Sequence, residues 1–309
     1  MEEKEQQLFT QLKKLDTEQR NRSTLEIDLA DSLEIARLIN TEDQKVAKEV
    51  EKKLNEVAQA IDLVKEAFDA GGRLIYAGAG TSGRLGILDA AECPPTFGSD
   101  PGQVIGLIAG GKEAVFEAQE NAEDFEENGR EALREANLSV NDIVCGLAAS
   151  GRTPYVHGAL KEADDMGCHT IFVTTVPGEQ ITIDVDVLID IPVGPEVIMG
   201  STRMKSATAQ KMVLNMITTG ANIRRGKVYE NVMVDLQLSN QKLHERSKRI
   251  LMMFADIDYD KAEEYLEAAD GHVKTALVMV LGGLDREDAR QKLEENNGFI
   301  RKALQNINS

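Results

Sequence analysis

The chain has 309 residues, of which 42% are hydrophobic and only 4% aromatic, and its formal net charge is −18. This length and composition predict one large folded domain with a smaller accessory domain and a mainly aliphatic core. The negative charge disfavours partners such as nucleic acids and anionic lipid surfaces, so a site for a phosphorylated ligand must be a local exception built from amides, hydroxyls and a few cations.

An N-terminal helical segment is predicted at residues 1–44. Thr41 and Gln44 match a capping box, which predicts the start of a long helix at Thr41. Apolar residues then recur every three or four positions up to Phe68, and Gly71 and Gly72 predict the end of that helix.

Short apolar runs then alternate with helical patterns over residues 45–255. The strands are predicted at 74–77, 104–109, 143–148, 170–174 and 187–191. The helices are predicted at 83–92, 112–135, 154–166 and 202–220. This alternation predicts an α/β domain in which a parallel sheet is sandwiched by helices.

The last part of the chain, residues 256–309, has a different pattern that lacks apolar strand-like runs. Short helices separated by Asp, Gly and Asn are predicted at 259–269, 272–281, 286–294 and 298–307. We therefore expect a small all-helical C-terminal domain.

A glycine-rich loop, Gly78 to Arg84, follows the first predicted strand and matches G-x-G-x-x-G. A dinucleotide site is disfavoured because no carboxylate ends the second predicted strand, and a P-loop is excluded because the Lys-Ser/Thr pair is missing. Thr81 and Ser82 place two hydroxyls at a helix N-terminus, an arrangement that suits a phosphate monoester. The alternative is an ordinary strand-to-helix turn.

Two further loops have the same character. Ser150-Gly151-Arg152-Thr153 follows the third predicted strand, and Gly200 to Lys205 precedes the helix at 202–220. Ligands of open α/β sheets bind at the carboxyl ends of strands, where these loops are expected to meet. Ser150 and Thr153 are equally suited to be simple helix caps. The cations expected near a phosphate are Arg84, Arg152, Arg203 and Lys205.

Residues 73–98, 147–155 and 194–211 resemble the signatures of the N-acetylmuramic acid 6-phosphate etherases, and the likeness runs from about residue 22 to residue 304. The resemblance implies a sugar-isomerase (SIS) domain, a C-terminal domain like ubiquitin-associated (UBA) domains, and a homodimer. It also implies a lyase of cell-wall amino-sugar recycling that splits the lactyl ether of N-acetylmuramic acid 6-phosphate, giving N-acetylglucosamine 6-phosphate and D-lactate.

By the same resemblance, Glu92 and Glu123 are the catalytic carboxylates. Without the resemblance, Glu92 is predicted to be a solvated residue near the end of a helix that Pro94 and Pro95 terminate. Glu123 is then predicted to belong to a solvated acidic helix face. The residues expected to bind the phosphosugar are Thr81, Ser82, Gly83, Ser150, Gly151, Thr153, Glu196, Ser201 and Arg203. Elimination followed by hydration requires no metal or other cofactor, and the four histidines show no ligand spacing.

Two other functions use the same fold: a phosphosugar sensor without catalysis and an aldose–ketose isomerase. The presence of both Glu92 and Glu123 favours the lyase, and a transcription regulator is disfavoured because residues 1–40 lack a basic helix-turn-helix pattern. Three cysteines without a C-x-x-C pair, a charged N-terminus and the absence of long apolar runs predict a cytoplasmic protein that binds no membrane.

Overall fold

The computed structural model describes residues 16–235 and 241–305. Contacts divide the chain into two compact units. The first comprises the described part of Met1–Ala91 together with Gly102–Thr218, and the second comprises Glu92–Pro101 with the described part of Thr219–Ser309. The division at residues 44 and 255 stays a prediction.

The first unit contains a five-stranded parallel sheet in the order β2-β1-β3-β4-β5. All residues of β1 and β3 are buried, as expected for a parallel sheet covered on both faces. The predicted α/β fold is therefore confirmed. The strands are β1 (Leu74–Gly78), β2 (Val104–Ile108), β3 (Ile143–Leu147), β4 (His169–Thr174) and β5 (Val187–Asp190).

Seven helices of the described chain accompany this sheet in sequence, and two of them, α4 and α7, run on into the residues of the second unit. Helix α6 packs on β3 through a fully buried face that includes Val156 and Ala163. The helices are α1 (Ser32–Asp43), α2 (Val46–Glu51), α3 (Leu54–Asp69), α4 (Gly80–Phe97), α5 (Glu126–Glu135), α6 (Pro154–Asp165) and α7 (Lys205–Arg224).

The predicted helix start at Thr41 is wrong. Helix α1 begins after Asp31, whose carboxylate accepts a hydrogen bond from the Glu34 amide at 2.8 Å. Thr41 lies inside α1, where its hydroxyl donates to the Arg37 carbonyl at 2.8 Å. A threonine hydroxyl satisfied by the carbonyl four residues earlier does not cap a new helix.

The predicted helix at 112–135 is also wrong. A short 3-10 helix at Lys112–Val115 is followed by a loop, and regular helix begins only with α5 at Glu126. Asn121 adopts a left-handed conformation with φ of 61°, which an α-helix does not accommodate. The loop therefore removes Glu123 from the acidic helix face that the sequence pattern predicts.

Pro94 and Pro95 do not end α4, which continues to Phe97. The φ angle of proline suits a helix, but inside a helix each proline removes an amide donor and its ring crowds the carbonyl four residues earlier, so the prolines weaken α4 without ending it. Gly98, with φ of 61°, follows the last helical residue, and its amide donates to the Pro94 carbonyl at 2.9 Å. The helix ends by this glycine, as helices commonly do.

The second unit contains the C-terminal helices and a short antiparallel hairpin of β6 (Val228–Tyr229) and β7 (Val232–Met233). The four predicted C-terminal helices are present, although 306 and 307 lie outside the described residues. None of the helices within 16–235 and 241–305 is long and apolar enough to cross a membrane. The helices are α8 (Gln241–Ala255), α9 (Tyr259–Ala268), α10 (Val273–Gly282), α11 (Arg286–Glu295) and α12 (Ile300–Gln305).

Candidate active site

The loops after β1 and β3 meet at the carboxyl edge of the sheet and enclose a cavity of about 240 Å³. Each loop leads directly into the N-terminus of a helix, α4 after β1 and α6 after β3. Unpaired amides and the helix dipole make such N-termini favourable for anions. The cavity is lined by Thr17, Glu18, Ala79, Gly80, Thr81, Ser82, Glu123, Leu147, Ala148, Ala149, Ser150, Thr153, Gly200 and Thr202.

Ser82 lies in the first turn of α4, and its hydroxyl donates to the Gln210 side-chain oxygen at 2.8 Å. Gln210, on α7, is fully buried, and its side-chain nitrogen has no hydrogen-bond partner among the described residues. The sequence analysis missed Gln210 because it lies inside a helix, 128 positions from Ser82. Its presence in the segment 194–211, which carries the family resemblance, was the available signal.

Two threonines at the end of β4 form hydrogen bonds to the loop that follows β3. The hydroxyls of Thr174 and Thr175 both donate to the Ala149 carbonyl, at 3.2 and 3.0 Å. Gly151 has φ of 70°, and a Cβ atom there would lie 2.4 Å from the Ile181 Cδ1 atom. The backbone at this position therefore requires glycine.

Thr153 precedes α6 in the cap position, yet its side chain makes no cap hydrogen bond. The Ser150 hydroxyl accepts only a long hydrogen bond of 3.4 Å, from the Arg152 amide. Both residues line the cavity. The helix-cap alternative therefore fails for Thr153, which borders the cavity.

Glu123 lies in the loop between the 3-10 helix and α5, and the Tyr155 amide donates to its carbonyl at 3.0 Å. It borders both this cavity and a neighbouring one of about 430 Å³. Although the side chain is exposed, partial burial, and then the nearby charge of Asp124, raise the pKa of its carboxyl group. A carboxyl group with a raised pKa beside a ligand cavity is suited to proton transfer.

Residues 56–164 match the model of the glucokinase regulatory protein N-terminal SIS domain. An N-acetylmuramic acid 6-phosphate etherase from Salinibacter ruber is 56% identical over 299 residues, which are 96% of each chain. One from Bacillus subtilis is 52% identical over 294 residues, covering 95% of this chain and 97% of that one. The chain belongs to the N-acetylmuramic acid 6-phosphate etherase family. A solved phosphoheptose isomerase from Neisseria gonorrhoeae is 20% identical, covers 62% of this chain and 100% of its own, and has a TM-score of 0.49.

Not every residue that the etherase resemblance assigns to the substrate lines the cavity. Gly83 packs against the sheet, because a Cβ atom there would lie 2.6 Å from the Ile108 Cγ1 atom. Ser201 and the exposed Arg203 do not line it, whereas their neighbours Gly200 and Thr202 do. Gly151 does not line it either, and substrate contacts stay predictions for these residues and for those that do line the cavity.

Glu196 has a structural position in this chain. It is fully buried, and its two carboxylate oxygens accept hydrogen bonds from the amides of Lys205 and Ser206, at 3.0 and 2.9 Å. A fully buried carboxylate that caps the start of α7 is out of reach of a sugar hydroxyl. The predicted sugar contact is corrected to a role in positioning the segment before α7.

Two of the four cations predicted near the phosphate, Lys205 and Arg84, make their hydrogen bonds outside the cavity. The Lys205 ammonium group is buried and contacts the Glu42 carboxylate at 2.9 Å and the Val193 carbonyl at 2.8 Å. The Arg84 guanidinium donates to the carbonyls of Ala114 and Val115. No Lys or Arg is among the described residues that line the 240 Å³ cavity. The described lining offers an anion hydroxyls, backbone amides and helix N-termini instead.

Glu92 is exposed and lies near the end of α4, in the stretch of that helix that belongs to the second unit. It is not among the residues that line the cavity. A larger cavity of about 680 Å³ beside the edge strand β2 is lined mostly by apolar atoms and holds none of the residues assigned to the etherase reaction.

Proposed function

We propose that the chain cleaves the lactyl ether of N-acetylmuramic acid 6-phosphate, giving N-acetylglucosamine 6-phosphate and D-lactate in cell-wall amino-sugar recycling. The observation that carries the proposal is Glu123, a carboxyl group with a raised pKa, in one cavity with the hydroxyls of Ser82, Ser150 and Thr153. The names of the relatives at 49–56% identity support the same substrate.

The cradle formed by the loops after β1 and β3 is suited to the phosphate of this substrate. Hydroxyls of Thr81, Ser150 and Thr153 donate hydrogen bonds, the Ser82 hydroxyl lines the cavity while it donates to Gln210, and the N-termini of α4 and α6 contribute partial positive charge. Together they offset a net charge of −18, which repels a phosphate dianion from the molecule as a whole.

The reaction follows from the open-chain form of the sugar. The aldehyde acidifies the neighbouring C–H, and a carboxylate removes that proton while the C–O bond to the lactyl group breaks. A carboxylic acid protonates the departing lactate oxygen, and water then adds to the new double bond at the same carbon. Each positioned acid or base contributes about 10²–10⁴-fold, and no oxidant or reductant is consumed.

Glu123 and Glu92 are the carboxyl groups that we assign to these proton transfers. Glu123 is assigned because it lines the cavity. Glu92 is the proposed acid for lactate departure. It is assigned by resemblance alone, because the Ala91–Pro95 segment aligns with the family motif that contains the catalytic acid/base.

The proposal is tested by incubating the protein with N-acetylmuramic acid 6-phosphate and measuring free D-lactate and N-acetylglucosamine 6-phosphate. Equal amounts of both products are expected. Binding without any lactate would instead support the sensor, and aldose–ketose conversion without lactate would support the isomerase. Either of these results would overturn the lyase.

We also propose that the working enzyme is a cytoplasmic homodimer, as the family resemblance implies. On α7, Val213 and Ile217 are fully buried within one chain, whereas Met212, Met216 and the preceding Met204 are half-buried and supply apolar surface that a partner subunit can cover. Sedimentation at micromolar concentration tests the dimer. An active protein that sediments strictly as a monomer would contradict it.

A further inference from the structure

A turn at the start of the described chain forms one wall of the cavity. The 3-10 helix Asp16–Glu18 places both Thr17 and Glu18 among the lining residues, together with Ser82, Ser150 and Glu123. No sequence motif pointed to this turn, since residues 1–44 were predicted only as a polar helical segment.

Three hydrogen bonds connect this turn and the residues just after it to the segment before α7. The Gly200 amide donates to the Thr17 carbonyl at 3.1 Å, and the Asn21 amide group donates to the Pro195 carbonyl at 3.2 Å. The Thr24 hydroxyl donates to the Val197 carbonyl at 2.9 Å. These contacts join two stretches more than 170 positions apart, so the wall is part of the folded site.

Two polar groups of the turn, the Thr17 hydroxyl and the Glu18 carboxylate, indicate that it contacts a ligand. The Thr17 hydroxyl is buried, with the residue 3% exposed, and has no hydrogen-bond partner among the described residues. Buried polar groups are normally paired, and Thr17 also lines the cavity, so a ligand in that cavity would supply the partner that this hydroxyl lacks. The Glu18 carboxylate lies beside Gly200, with Oε2 3.7 Å from the position of a Cβ atom there.

The charge of Glu18 decides which part of the ligand it meets. A carboxylate repels a phosphate dianion, and no cation of residues 16–235 or 241–305 lines the cavity to offset that repulsion. The hydroxyls and the amide N–H of an N-acetylated sugar are hydrogen-bond donors, and a carboxylate only accepts. The turn at Asp16–Glu18 is therefore suited to bind the sugar, and the loops after β1 and β3 are suited to bind the phosphate.

We propose that Thr17 and Glu18 bind the polar groups of the sugar and so select phosphorylated sugars over other phosphates. The inference rests on the proposed phosphosugar substrate and names the residues that recognise its neutral part. Glu18 accepts hydrogen bonds from sugar hydroxyls or the acetamido N–H, and Thr17 supplies one further hydroxyl.

The test compares two probes, inorganic phosphate and N-acetylglucosamine 6-phosphate, by calorimetry on wild type and on Glu18→Gln. Loss of one hydrogen bond to a charged acceptor predicts an affinity for the sugar phosphate about 5–100-fold lower. Affinity for inorganic phosphate is expected to stay the same or rise, because a repelling charge is removed. These opposite signs distinguish sugar recognition from a structural role, which would weaken both probes together.

Glu26→Gln is the matched control, since Glu26 is an exposed glutamate close by in sequence that does not line the cavity. It is expected to leave both affinities unchanged. Thr17→Val keeps the shape of the side chain and removes the unpaired hydroxyl, so it is expected to weaken the sugar phosphate alone. Thr17→Val also tests the inference on its own if Glu18→Gln does not fold.

The inference is overturned if Glu18→Gln and Thr17→Val fold, as judged by thermal unfolding, and bind the sugar phosphate as well as wild type does. It is also overturned if both variants lose the two probes equally. These binding measurements do not depend on lactate release. A wild type that binds N-acetylglucosamine 6-phosphate but releases no lactate would sink the lyase proposal and leave this inference standing.

Discussion

The two carboxyl groups assigned to catalysis lie in contrasting regions. Glu123 lies in an irregular loop that a backbone hydrogen bond from Tyr155 holds at the cavity, and its surroundings raise its pKa. Glu92 lies in regular helix near the end of α4, is exposed, and has no part in that cavity. A single chain therefore places one of the two proposed proton-transfer groups at the cavity, whereas the proposed role of the other rests on family resemblance.

Replacement of Glu123 by Gln is expected to have the largest effect. The amide keeps the shape and hydrogen-bonding capacity of the side chain but transfers no proton, so D-lactate release is expected to fall by about 10²–10⁴-fold. Binding of N-acetylglucosamine 6-phosphate should survive. Glu117→Gln, an exposed glutamate outside the cavity, serves as the control and should keep full activity. A Glu123→Gln enzyme with near-normal turnover would remove Glu123 from the chemistry.

Glu92→Gln tests the second region of the comparison. If Glu92 protonates the departing lactate, turnover is expected to fall by about 10²-fold or more while the fold and substrate binding are retained. The measurement is single-turnover lactate release beside a thermal unfolding curve. Retention of more than about a tenth of the activity would rule out this acid role, since acid catalysis contributes more than that.

The sequence predicted the sheet and both hydroxyl loops because local patterns encode them. Buried parallel strands appear as short apolar runs, and strand-to-helix turns such as Gly80–Ser82 carry glycines and hydroxyls. The positions of Glu123, Gln210 and Glu18 were not predictable in this way. Each depends on contacts between distant parts of the chain, which no local periodicity records.

The acidic stretch around Glu123 shows the limit most clearly. Charged residues at helical spacing predicted one continuous helix, and the left-handed Asn121 breaks it. Glu196 shows the opposite error, because a carboxylate next to the substrate loops is used as a cap for backbone amides. In both cases residue type was informative, and tertiary structure decided the role.

Ser150→Ala is expected to weaken binding rather than chemistry. Loss of one hydrogen bond to a charged phosphate costs about 1–3 kcal/mol, so both inorganic phosphate and N-acetylglucosamine 6-phosphate should bind less tightly. The turnover number at saturating substrate should change much less than it does in Glu123→Gln. Calorimetry with both probes checks this, and unchanged affinity in the folded variant would remove Ser150 from the phosphate cradle.

The smallest expected effect concerns the pH dependence set by Asp124. The negative charge of Asp124 is the second cause, after burial, of the raised pKa of Glu123. Asp124→Asn removes that charge and is expected to lower the pKa of Glu123, by a small amount because the pair is exposed to solvent. If Glu123 must be ionised to remove the sugar proton, activity fails as the pH falls through its pKa, so the acidic limb of kcat/KM should move to lower pH. If Glu123 instead acts in its protonated form, the basic limb of the profile moves, also to lower pH.

Glu117→Gln removes a charge of the same sign from outside the cavity and should leave both limbs in place. A profile that Asp124→Asn leaves unchanged, or moves to higher pH, would show that neither limb reports the ionisation of Glu123.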